Sequence, residues 1–222
     1  MGGSTRMGYS LSWLAVRGKS PQAIRDELGF RPTGEREETA EADLTAAEMP
    51  NGWYLIVSNR STQVASDAAL QRLSSSGCEL VTCFVEEHVM FSSATSWKDG
   101  RKSWSVTHDA QHGIEHLETE GELPTLCSSI RDRLFTKQKE ENIRKAGVRR
   151  TLFPRRVVSI GEMRCDYIFE IPVEIARELT GYQHDRDIPE MTGKPFEVLI
   201  GAVPKDSTPP HKPSLWNRLF GP

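Results

Sequence analysis

Lys98-Asp99-Gly100-Arg101, inside the stretch CELVTCFVEEHVMFSSATSWKDGRKSWSVTH that starts at Cys78, leaves little choice of local structure. Asp-Gly supplies the positive φ angles of a type I′ hairpin turn. Residues 79–85 before it are rich in β-branched and aromatic side chains, and residues 89–97 and 102–108 border the turn. Three consecutive strands are therefore expected here, the last two forming a hairpin. In the third strand, period two places Trp104 and Val106 on one face and Ser103, Ser105 and Thr107 on the other. Trp97 and Trp104 flank the turn and are expected to pack as a cross-strand aromatic pair. A small, polar face predicts a sheet covered by helices on one side only.

Other segments fit this sheet. Residues 9–16 and 53–57 read as strands, the second apolar enough to be central, and 196–203 as a final strand. Ser20 and Pro21 open a helix that Gly29 closes. Ser66 and Asp67 cap a short helix over 68–73. Leu126, Ile130, Leu134 and Phe135 recur at helical spacing, which predicts a helix from Pro124 to about Lys145. Residues 33–48 read as an acidic loop with one helical turn near Leu44, and 114–118 as a short strand. Residues 165–171 read as a strand, followed by a helix from Pro172 to Gly181. The Pro21 and Pro172 helices share a plan of Pro start, internal Ile, Glu-Leu and Gly stop. That plan suggests a duplication, although such helices are common. The expected fold class is α+β: a largely antiparallel sheet of six or more strands with three or four helices mainly on one face. Residues 1–8 read as a flexible N-terminus, 9–203 as one domain with a basic insertion at about 142–164, and 204–222 as a Pro-rich tail.

Charge is segregated along the chain. The whole carries −3, a charge that argues against non-specific nucleic-acid binding by the whole surface. Residues 131–164 hold eleven Lys or Arg against four Asp or Glu, which is +7 and leaves −10 for the remainder. Arg149, Arg150, Arg155 and Arg156 bracket Leu152, Phe153 and Pro154, a mixture that suits RNA contact; a solvated basic helix is the plainer reading. Residues 33–48 hold six carboxylates against one arginine. No apolar run reaches the roughly 18–20 residues of a membrane span, and no signal-peptide core opens the chain, so a cytoplasmic location is expected. Cys78, Cys83, Cys127 and Cys165 form no C-x-x-C pair and read as buried thiols.

Three groups of residues could carry chemistry. His108, His112 and His116 would share one helical stripe and could ligate a metal, but Gly113 interrupts that helix and His108 ends a strand. Glu86, Glu87 and His88 lie between two strands, where a carboxylate beside an imidazole can do acid–base work. Glu87, His88 and His108 are the catalytic candidates, since both loops fall at one end of the hairpin. His184, Asp185, Arg186 and Asp187 read as an ordinary charged loop. There is no Walker loop, G-x-G-x-x-G or G-x-S-x-G, so no cofactor is expected.

WLAVRGKSP from Trp13, GWYLIV from Gly52, EEHVMF from Glu86 and YIFEIP from Tyr167 resemble strings in a set of uncharacterised bacterial proteins. The resemblance covers most of residues 8–187 and implies a bacterial cytoplasmic protein. It implies no catalytic residue.

The leading expectation is a non-enzymatic protein that binds a basic protein partner, in the manner of an immunity protein or antitoxin. Its candidate contacts are Glu35, Glu37, Glu38, Glu41 and Asp43, with Trp216 and Phe220 of the tail as a docking plug. The alternatives are a metal-dependent enzyme centred on Glu86, His88 and the 108–116 stretch, and RNA binding through residues 131–164.

Overall fold

The computed structural model describes residues 8–59, 61–75, 77–152 and 166–201. The first half runs β1 (Ser10–Arg17), α1 (Pro21–Leu28), β2 (Arg31–Glu37), β3 (Leu44–Glu48), β4 (Tyr54–Ser58) and α2 (Asp67–Ser74). The second half runs β5 (Glu79–Glu86), β6 (Phe91–Lys98), β7 (Arg101–Asp109), β8 (Glu118–Gly121), α3 (Leu126–Leu152), α4 (Glu170–Thr180) and β9 (Phe196–Ile200). The nine strands among the described residues form one antiparallel sheet in the order β2-β9-β3-β4-β1-β5-β6-β7-β8. The fold is α+β, as the patterning predicts.

Alternation along β1 builds two cores. Leu11, Trp13 and Ala15 face one side, with Ile130 and Leu134 of α3 and Ile171, Val173 and Ile175 of α4. Leu14 and Val16 face the other, with Ile24 of α1 and Leu70 and Leu73 of α2. Burying each such side chain is worth about 1.5–3 kcal/mol, so both faces contribute to stability. The longer helices cover the first face, and two eight-residue helices cover the second. Helix on one side only is thus corrected: both faces carry helix, with most helical residues on one. On the second face Thr82, Ser93, Thr95, Ser105 and Thr107 line a trough of about 400 Å³ beside α2, which is where the small polar side chains go.

The hairpin turn sits where predicted, with φ of 51° at Asp99 and 73° at Gly100. The tryptophan pair does not form. Trp97 opposes Lys102, the register then shifts, and Trp104 opposes Ser96. One extra residue in a strand flips every side chain beyond it to the other face. Trp97 therefore joins the second core and Trp104 the first.

Further expectations are corrected. The 33–48 segment contributes two strands: β2 is an exposed sheet edge, and β3 lies inside the sheet. The 114–118 strand is displaced, because β8 begins at Glu118. The described residues just before α4, 166–169, form no strand. The carboxylate of Asp166 accepts from the N–H groups of Ile168 and Phe169, and the helix starts at Glu170. Pro172 fits within its first turn, where a missing N–H costs nothing. The Pro21 and Pro172 helices lie on opposite faces of the sheet. Helix α3, expected to run to about Lys145, continues to Leu152. Residues 1–7, most of the basic insertion and the tail from 202 lie outside the described residues.

Candidate functional site

The histidine stretch folds differently from a helical stripe. His108 is on β7, His112 ends a single 3-10 turn (Ala110–His112), and Gly113 at φ 130° breaks the chain away from helix. The His108 ring is fully buried. Its Nδ1 donates to the carbonyl of His116 at 2.7 Å, and its Nε2 lies 2.9 Å from Asp166 Oδ2. Both nitrogens are held by acceptors, so neither is open to a metal. His116 Nδ1 accepts from the Asp109 N–H at 3.0 Å, which leaves its Nε2 3.4 Å from Glu118. His112 turns to Asp109, 3.7 Å away. Among the described residues, no group of three His, Cys, Asp or Glu side chains could hold a metal ion. This segment is a polar staple joining β7, β8 and the start of α4.

The catalytic candidates also part company. Glu86 and His88 pair with each other at 2.7 Å on the exposed β5–β6 turn. Burial opposes ionisation of Glu86, but hydrogen bonds from Ser10 and His88 outweigh it and hold the carboxyl below its ordinary range. His88 shares no hydrogen bond, ion pair or ring contact with His108. Glu87 turns instead towards β1, accepting from the Tyr9 N–H at 2.9 Å and lying 3.5 Å from His184 Nε2.

Through His184, Glu87 borders an open cleft. β9 inserts between β2 and β3, so the loop that feeds it from α4 comes to lie against the β2–β3 loop. A cleft of about 1140 Å³ opens there. Glu38 and Glu41 stand on one side, and His184, Asp185, Arg186 and Asp187 on the other. Tyr9, Tyr182 and Phe196 lie between them. The His184 side chain is 4% exposed, and neither ring nitrogen has a hydrogen-bond partner. The Tyr9 ring meets it edge-on, with centroids 4.7 Å apart. Glu170, the first residue of α4, is close by. Burial and the negative charges of Asp185, Glu87 and Glu174 push its carboxyl up to about 7. Burial pushes the Tyr182 hydroxyl up as well.

The partner-binding candidates distribute unevenly. Glu38 and Glu41 line the cleft, while Glu35 is exposed on the edge strand. Glu37 is structural, its carboxylate accepting from the N–H groups of Glu41 and Ala42. Asp43 is exposed, and its carbonyl accepts from Asn59. Trp216, Phe220, Arg155 and Arg156 lie outside the described residues; Arg149 and Arg150 lie in α3. Sequence reasoning missed Tyr9, Tyr182 and Glu170 and set His184 and Asp185 aside. Only the charged run at 184–187 signalled anything, and nothing local ties it to Glu38.

The fold and the cleft together define a class: an α+β protein whose described residues form a nine-stranded sheet, with an acidic cleft partly lined by aromatic side chains. No family model, curated protein or solved structure matches the chain. Among the described residues, no helix is long and apolar enough to cross a membrane.

Proposed function

We propose that this is a non-enzymatic binding protein that takes a basic segment of a protein partner into the acidic cleft. One observation carries the reading. Glu38, Glu41, Asp185 and Asp187 surround a single cleft in which Arg186 is the lone Lys or Arg among the described lining residues. Such a surface steers a basic partner and raises its rate of encounter, with strong dependence on salt. An immunity- or antitoxin-like role in a bacterial cytoplasm suits this arrangement, the cleft masking the basic working surface of a toxin.

Hydrogen–deuterium exchange with and without a Lys/Arg-rich twelve-residue peptide tests the proposal. Protection is expected in the 38–41 and 184–188 loops. Protection confined to other acidic segments, such as β8, would overturn it.

A further inference from the structure

The cleft has a floor as well as a rim. Tyr182 and Phe196, 5% and 6% exposed, lie in it beside Tyr9. Aromatic faces attract cations, guanidinium most often among side chains. His184 supplies a second, independent sign of a missing group. It lines the cleft, its side chain is 4% exposed, and neither nitrogen is hydrogen-bonded. Buried polar atoms without partners are rare in folded proteins, and each calls for an explanation. Carboxylates stand beside it: Glu87 lies 3.5 Å from the imidazole, and the neighbouring Asp185 lines the same cleft. These groups do not form a metal cage, because no three described ligand side chains converge. The fitting ligand is an organic cation.

We infer that the floor of the cleft is a subsite for one arginine side chain of the partner. Its guanidinium lies over the aromatic floor and is met by Asp185 and by the His184–Glu87 pair. This rests on the basic-partner reading and names the group recognised. Arginine suits the site better than lysine. The guanidinium is planar and weakly hydrated, stacks on aromatic rings and offers five N–H donors to carboxylates and an imidazole lone pair. An ammonium is compact and strongly hydrated, so burying it here costs more.

The test uses the full chain labelled with ¹³C-histidine and titrated with N-acetyl-argininamide. N-acetyl-citrullinamide, which has the same shape without the charge, is the control. The His184 ring signal is expected to move saturably with the arginine probe and to stay still with the citrulline probe. Asp185→Asn, at an exposed position, should weaken the arginine probe about tenfold, the loss expected of a charge-assisted hydrogen bond. Equal movement with both probes, or none at His184 with either, overturns the subsite. Hexalysine and hexa-arginine peptides separate the two claims. If both bind equally and leave His184 still, the subsite falls and the acidic-cleft reading survives. If neither binds, both fall.

Discussion

His108 Nε2 and Asp166 Oδ2 lie 2.9 Å apart, both side chains buried, in segments separated by 58 residues of chain. The pair ties the end of β7 to the start of α4. Asp166 also holds the first N–H groups of the α4 turn, so the one carboxylate serves two elements. Asp166→Ala removes all three bonds and strands a buried imidazole. The expected loss is about 3–5 kcal/mol, as for other broken buried pairs. Urea unfolding checks it, and a double-mutant cycle with His108→Phe should return a coupling above about 1 kcal/mol.

Glu170 makes stability depend on pH with a definite sign. Its folded carboxyl ionises near 7 against an ordinary value of 4.5. Between these values the folded protein keeps a proton that the unfolded chain has lost. The stabilisation from that proton is complete below about 4.5 and is lost as pH rises through about 7. Glu170→Gln, which cannot ionise, should match wild type near pH 4.5 and exceed it at pH 8 by on the order of 2–3 kcal/mol. Unfolding midpoints across that range provide the check. A parallel pair of curves would contradict the assignment.

Gly100 is required by conformation and by space. Its φ is 73°, and an added Cβ would meet Ser75 Oγ at 2.5 Å. Gly100→Ala should cost about 1–2 kcal/mol from the left-handed backbone alone. In a Ser75→Gly background only the steric part should be recovered. Thermal or urea midpoints of the three variants separate the two parts.

What the sequence discloses divides along physical lines. The Asp99-Gly100 turn and the Ser20-to-Gly29 helix are written in local chemistry, where a few residues fix φ or cap an end. β2 is illegible because its side chains are nearly all exposed, so no apolar alternation marks it. Leu44, Ala46 and Ala47 have no strong strand preference, yet pairing with β4 and β9 makes the segment a strand. The apolar run at Tyr167–Ile171 misleads in the opposite direction. It is buried by helix packing, and short apolar runs do not distinguish helix from strand. The cleft is least legible, since Glu38 meets the 184–187 loop only because β9 threads between β2 and β3. A strand pairing of that sequence separation leaves no mark on either segment.

The cleft is expected to bind a basic chain. Fluorescence anisotropy of a labelled hexalysine peptide, titrated with the protein from 25 to 300 mM salt, measures it. Wild type is expected to bind with an affinity that falls steeply as salt rises. The variant with Glu38→Gln, Glu41→Gln, Asp185→Asn and Asp187→Asn should lose at least about tenfold at low salt and most of the salt dependence. Equal affinity of the two proteins, or wild-type binding that ignores salt, would contradict the account.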